Sequence, residues 1–426
     1  APPSAPVDGR PRLAAGMGAA ALRAGAAAVV AALLLVRPAA GDGRGASSSA
    51  ASGLLSCSGR PLSEWLYDTS RWSPPGYHVL CVDGESDDGE VAPAARRRVR
   101  LWVRGHAEKA PEVWHWHAGG HAGIEGLPEF RAEVERRAAM REQSRWRILP
   151  WALYSAEGEL VLHEDQLGGV LLAFEGGRWV WPGIREGFER SVALDGVGNV
   201  TMRTLTLDPL AFTLDGFVDK LVAESAIDAA KPRFKPAGVA ATDLGREAAG
   251  DKVRTCSEAW LSPKEGPELS GIADRTASLT RVPRRLQMDF RVMQYKKGEQ
   301  FVAHTDYYDK KDFKKDPKMM QELKHGRNWL VTLYVYLSNV KAGGETYFPS
   351  TYGKPLPEEL DKCTGPSVSP LVGRALMFYS LHPDGKPNLS SMHGGCKVKS
   401  GVKYTVNIWT FNQALDPADE RDDLEA

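Results

Sequence analysis

Apolar and polar positions alternate most clearly near the end of the chain. Val402, Tyr404, Val406 and Ile408 interleave with Lys403, Thr405, Asn407 and Trp409, the period-two signature of a strand with two unlike faces. Strand patterns also occupy 286–295, 301–307, 328–337 and 373–379. Upstream, 207–226 reads as a strand running into a helix, with Asp215 as its N-cap, and 270–280 is a helix by period. Helical signals followed by a run of strands predict an α+β domain over 206–414 with a β-barrel or sandwich core.

Residues 54–205 carry signals of their own. The run 99–104 alternates like a strand, and 127–142 reads as an amphipathic helix with Phe130, Val134, Ala138 and Met140 on one side. Hairpins are predicted at 151–162, around A-E-G, and at 171–183, turning at Gly176-Gly177. This order suggests a smaller α+β accessory domain, β-grasp-like, serving as a spacer or a substrate-docking module. The leader, 1–41, offers Met17 as a start, Arg23 as a positive flank and an apolar run over 24–36. That run is short for a membrane span and suits the core of a signal peptide, with a short type II anchor as the alternative. Residues 42–53 read as a linker and 415–426 as an acidic tail.

Composition narrows the function classes. Of 426 residues, 54 are basic and 54 acidic, so the formal charge is zero; a dedicated nucleic-acid binder normally carries a basic excess. The dense basic run at 94–104 reads as the solvated entry to a strand. Five cysteines contain no C-x-x-C, which removes zinc knuckles and thioredoxin-type sites from consideration. In an oxidising compartment Cys57 with Cys81 and Cys363 with Cys396 are the local pairings, leaving Cys256. Sequons at Asn199 and Asn388 fit a secretory route.

Candidate chemistry sits in V-A-H-T-D-Y-Y. His304 and Asp306 are two residues apart, so on a strand they share a face. His393 lies downstream in S-S-M-H-G-G-C, and Lys403 follows it by ten residues. Two histidines and a carboxylate form the ligand set of an Fe(II) site with open positions. If the polar face of 402–411 lines a barrel, Lys403 is a buried cation that needs an anion; the alternative is that it snorkels outward. His115, His117 and His121 form a second histidine group, read as a surface feature in preference to a metal site. His325 reads as a loop residue.

In combination these motifs resemble the prolyl 4-hydroxylase family of Fe(II)/2-oxoglutarate dioxygenases, over 206–414. The ordered set is Tyr295 with Gly298, H-T-D at 304–306, Thr332 in T-L-Y-V-Y-L, G-G-E-T-Y-F-P at 343–349, His393, Lys403 and Trp409. The resemblance implies a double-stranded β-helix (jelly-roll) and an iron-binding triad of His304, Asp306 and His393. It implies 2-oxoglutarate contacts from Lys403, Tyr295 and Thr332, and a substrate pocket that includes Trp409 and Arg254. It also implies a Cys363–Cys396 disulfide bracing the distal histidine. The activity implied is hydroxylation of peptidyl proline in the endoplasmic reticulum or secretory pathway, coupled to conversion of 2-oxoglutarate and O₂ to succinate and CO₂, with ascorbate as an auxiliary reductant. The partner implied is a proline-rich peptide, with no nucleic acid. Alternatives are an oxygenase for another side chain or small molecule, and a non-catalytic binding module of the same fold. Lys397 stands where the family has Pro, and the lysine-rich stretch 307–327 departs from the family pattern.

Overall fold

The alternating rows find their partners in one large antiparallel sheet. The computed structural model describes residues 56–68, 72–84, 96–117, 126–140, 151–238, 255–359, 362–416 and 418. Among them the largest sheet has nine strands, in the order Lys235–Pro236, Ser257–Leu261, Phe290–Tyr295, Lys403–Phe411, Trp329–Tyr336, Ala375–Tyr379, Leu210–Leu214, Gly198–Leu207 and Glu189–Leu194. A four-stranded sheet faces its inner side: Phe301–His304, His393–Gly395, Thr346–Tyr347 and Ser367–Val368. Two antiparallel sheets of this kind fit a jelly-roll.

Register assigns the faces. In the central strands Leu333 pairs with Ile408 and Met377, and Val335 pairs with Val406 and Ala375. These residues point outward and belong to the main apolar cluster. Two helices cover that outer face. Pro267–Thr280 buries Leu269, Ile272, Ala273, Thr276 and Leu279, the three-and-four spacing of one helical face. Lys220–Ala230 buries Ala223, Ala226 and Ala230. Its N-cap is Asp219, which accepts from the Val222 amide at 2.8 Å. The expected cap, Asp215, instead pairs with Arg374 at 2.6 Å: the tight Asp215–Gly216 turn carries the chain further before the helix begins.

The N-terminal part contains a five-stranded antiparallel sheet, in the order Glu112–His117, Arg96–Trp102, Tyr77–Gly84, Gly169–Phe174 and Ala152–Ser155. Helix Gly126–Arg137 closes one face over Leu80, Val99, Leu101 and Leu171, through Phe130 and Val134. The other face, with Tyr77, Val79, Trp102 and Phe174, runs without a break into the cluster that holds Leu333 and Ile408. The boundary expected at 205/206 falls inside strand Gly198–Leu207, which lies in the nine-stranded sheet between Leu210–Leu214 and the edge strand Glu189–Leu194. The alternation of Val192, Leu194, Val200 and Met202 explains this, because those residues pack into that shared cluster.

The hairpin expected at 171–183 is half formed. Gly169–Phe174 is a strand, but after the turn the chain leaves the sheet. Trp181 then plugs the seam, its Nε1 donating to the Leu279 carbonyl at 2.6 Å and its backbone amide meeting the Tyr379 hydroxyl at 3.2 Å. Tertiary packing of two tryptophans, Trp179 and Trp181, overrides the strand pattern there. Cys57 is bonded to Cys81 and Cys363 to Cys396, with Cα–Cα distances of 5.6 Å in both; Cys256 is buried and belongs to neither disulfide. Asn388 is 4% exposed and donates to Asp208 at 2.9 Å, so its sequon is closed to glycosylation in the folded chain; Asn199 is exposed. No helix among the described residues is long and apolar enough to cross a membrane. The leader, the linker and most of the acidic tail lie outside the described residues.

Candidate metal centre and co-substrate pocket

Three ligands come from two neighbouring strands. His304 ends strand Phe301–His304 and is the register partner of His393, which opens His393–Gly395. Asp306 lies just past the strand end and turns back to the same point. His304 Nε2 stands 3.7 Å from Asp306 Oδ1, and His393 Nε2 stands 3.7 Å from Asp306 Oδ2. All three ligand atoms lie within 4.8 Å of one another. Those spacings are too long for hydrogen bonds. They suit donors arranged around an ion, since ligands about 2.1 Å from one metal sit roughly 3 Å apart.

The same device fixes both imidazoles. Nδ1 of His304 lies 3.0 Å from the Val302 carbonyl, and Nδ1 of His393 lies 3.0 Å from the Ser391 carbonyl. A carbonyl only accepts, so each Nδ1 carries the proton and each Nε2 presents its lone pair to the centre. Phe301 stacks on His304 at 3.8 Å, and Phe378 lies 4.4 Å from His393. Thr332, fully buried, donates to Asp306 Oδ2 at 2.6 Å. This structure therefore joins Thr332 to the carboxylate ligand. Gly394 is required by packing, because a Cβ there would meet the Tyr347 ring at 2.7 Å.

Lys403 supplies the charge test. It is 1% exposed, and its Nζ has no hydrogen-bond partner among the described residues. The ammonium lies 5.0 Å from the Tyr295 ring, 5.1 Å from Tyr334 and 5.6 Å from Tyr336. Ring faces offset part of the desolvation cost of a buried cation, and an anion is still needed. Burial pushes the Tyr295 phenol well above its ordinary value, so it remains a neutral hydrogen-bonding group. Beyond Lys403, the inward row of the final strand holds Thr405 Oγ1, Asn407 Oδ1 and Trp409 Nε1, all buried without partners. The polar face read from the alternation thus lines the interior, and Lys403 does not snorkel. A dicarboxylate reaching from the triad to Lys403 fits this donor set: it presents acceptors to an orphan cation and chelating oxygens to the metal side.

Trp409, buried on the inward row, stacks on Trp329 at 5.1 Å and lies 6.1 Å from the half-exposed Trp260. Arg254 and His121 lie outside the described residues; His115 and His117 are exposed on strand Glu112–His117, away from any described three-ligand cluster. Sequence reasoning missed Tyr334 and Tyr336 as walls of the lysine cage. Their signal was present, since Thr332, Tyr334 and Tyr336 occupy alternate positions of one strand.

The sequence model of the 2OG-Fe(II) oxygenase superfamily matches residues 290–411, which contain all three candidate ligands and Lys403. The chain is 33% identical over 226 residues to probable prolyl 4-hydroxylase 4 of Arabidopsis thaliana, covering 50% of this chain and 72% of that protein. It is 32% identical over 223 residues to prolyl 4-hydroxylase 2 of the same plant, covering 50% and 71%. Among solved structures it is similar to the viral collagen prolyl hydroxylase vCPH from Paramecium Bursaria Chlorella virus-1, in its 2OG complex. That likeness has a TM-score of 0.34 and 23% identity, over 47% of this chain and 95% of the other. A Pseudomonas putida prolyl-4-hydroxylase gives 0.30 and 14%, over 48% and 93%. The chain belongs to the prolyl 4-hydroxylase family of 2-oxoglutarate- and Fe(II)-dependent oxygenases.

Proposed function

We propose that the protein hydroxylates peptidyl proline, with His304, Asp306 and His393 holding Fe(II) and Lys403 anchoring 2-oxoglutarate. The observation that carries this reading is the pairing of a preset triad with a buried, unpartnered ammonium. Iron held by these residues would supply O₂ activation, coupled to the oxidative decarboxylation of 2-oxoglutarate, which would provide two of the electrons. The chain's own residues bind and orient. The two imidazoles offer Nε2 because Val302 and Ser391 hold their other nitrogens. Thr332 occupies one lone pair of Asp306 Oδ2 and so fixes the carboxylate plane. Lys403 neutralises the far carboxylate of the co-substrate, with Tyr295 beside it. Phe301, Phe348 and Phe378 keep water from the histidines. Trp409 and Trp329 form the platform on which a proline ring can lie.

The two disulfides support an oxidising compartment and hence the secretory pathway. The test is an incubation of the full chain with Fe(II), 2-oxoglutarate, ascorbate and a panel of proline-rich peptides. Succinate release should match hydroxyproline formation mole for mole, and both should vanish with His304→Ala. Full activity in that variant would remove His304 from the site.

A further inference from the structure

The segment that follows the second ligand has an unbalanced charge. Residues 307–327 carry seven basic and four acidic side chains, in a chain whose formal charge is zero. Most of the acids are engaged within the segment. Asp309 accepts from the Lys311 amide at 2.9 Å and faces its ammonium at 3.6 Å. Asp316 caps the helix Pro317–Glu322, accepting from the Lys318 and Met319 amides at 3.0 and 3.1 Å. Glu322 holds Arg327 at 2.7 Å. Among the described residues Lys310, Lys314, Lys315, Lys318 and Lys324 are exposed and make no ion pair, against a single free carboxylate at Asp312.

The segment is also rooted beside the candidate site. Tyr308, two residues past Asp306, lies 4.6 Å from Trp329 and 5.2 Å from the buried Phe313. Trp329 stacks on Trp409, and Trp409 is the register partner of Thr332, whose hydroxyl holds Asp306. A row of aromatic contacts, Phe313–Tyr308–Trp329–Trp409, therefore ties the lysine-bearing segment to the strand pair that holds Thr332 beside Asp306.

We infer that this loop reads negative charge beside the target residue: the preferred substrate is a proline-containing peptide with acidic flanking residues. The inference rests on the prolyl-hydroxylase reading and adds the substrate class to it. A single exposed ammonium contributes little to binding. Five on one loop create a field that raises encounter with an anionic partner and repels a cationic one. The effect is screened by salt, since the Debye length falls from about 10 Å at 0.1 M to about 3 Å at 1 M.

The experiment uses three peptides that share one proline core and differ only in flanking Glu, Gln or Lys. The full chain should give kcat/KM in the order Glu, Gln, Lys at low ionic strength, with at least about a tenfold spread between the ends, and the spread should collapse at 1 M salt. A Lys314→Glu/Lys315→Glu/Lys318→Glu variant should reverse the order, with ratios taken against the Gln peptide so that changes common to all three cancel. Equal kcat/KM for the three peptides, with the Gln peptide hydroxylated, would overturn the inference and leave the prolyl-hydroxylase reading standing. Failure of the wild-type chain to hydroxylate any proline peptide would overturn both. Gln413 bonds to His325 and Arg327, so the acidic stretch 415–426 begins beside the loop. A preference that appears only in a chain shortened to Asp416 would make that stretch the loop's occupant and overturn the substrate assignment.

Discussion

Lys403 is held where an ammonium is least comfortable, 1% exposed among three tyrosine rings with no hydrogen bond. Its cost is borne by the free protein, and under the proposed function a dicarboxylate would relieve it. Two opposite effects are therefore expected from Lys403→Met. Without ligand the variant should melt at the same temperature as the parent or higher, because an uncompensated buried charge is gone. With 2-oxoglutarate it should lose most of its binding, on the order of 2–4 kcal/mol or about 30-fold or more, read as loss of the ligand-induced thermal shift. A variant that melts lower and still binds 2-oxoglutarate would place the carboxylate elsewhere. Thr332 acts one atom further out. Removing its bond to Asp306 in Thr332→Val should weaken metal affinity by about 10–100-fold, measured by titration with Fe(II) or Mn(II) under anaerobic conditions. Unchanged metal affinity would show that the Asp306 carboxylate is fixed without it.

Between residue and fold stands the loop that delivers His393. Asn388 and Ser390 donate to Asp208 at 2.9 and 3.0 Å, Ser391 Oγ donates to the Asn388 carbonyl at 2.6 Å, and the Ser391 carbonyl in turn holds His393. His382 closes the turn before this network, and burial pushes its imidazole below its ordinary value of 6.5. The unfolded chain then binds a proton more readily than the folded one. His382 contributes stability above about pH 6.5, and that contribution is lost as the pH falls from there toward the folded-state value. Urea midpoints should drop between pH 7.5 and 5.5, and His382→Gln should flatten part of that drop. An identical pH slope in the variant would assign the acid lability to other groups.

The same scale shows what was legible in the sequence. The long strands of 290–411 were, because period-two alternation is a local signal and the final strand states both faces outright. Strands Thr346–Tyr347, Ser367–Val368 and His393–Gly395 were not, since two or three residues cannot display a period. The three side chains that the structure brings together were picked out by motif order, but the atoms that aim them were hidden: the Val302 and Ser391 carbonyls carry no side-chain signature. The second arm of the hairpin expected at 171–183 did not form because the packing partners of Trp181, Leu279 and Tyr379, are distant in the chain.

At the scale of the molecule, the apolar cluster that contains Tyr77 and Phe174 also contains Ile408 and Leu333. The N-terminal sheet is therefore a wall of the catalytic fold, with one face shared and the other closed by its own helix. Trp181→Ala opens that seam and should cost about 3–5 kcal/mol. Calorimetry should show one cooperative transition moving to lower temperature, because a shared core couples both parts. Two separated transitions would mean that the sheets fold independently.

The triad and the buried ammonium fit a reaction in which O₂ is divided between peptide and co-substrate. The decisive measurement is mass spectrometry after turnover under ¹⁸O₂ with Fe(II), 2-oxoglutarate and a proline-containing peptide. One ¹⁸O is expected in a hydroxylated proline and one in the succinate formed alongside it, with neither product from His304→Ala and much less of both from Lys403→Met at low 2-oxoglutarate. Succinate without any peptide oxygenation across a broad proline panel, or a peptide oxygen on a residue other than proline, would contradict it.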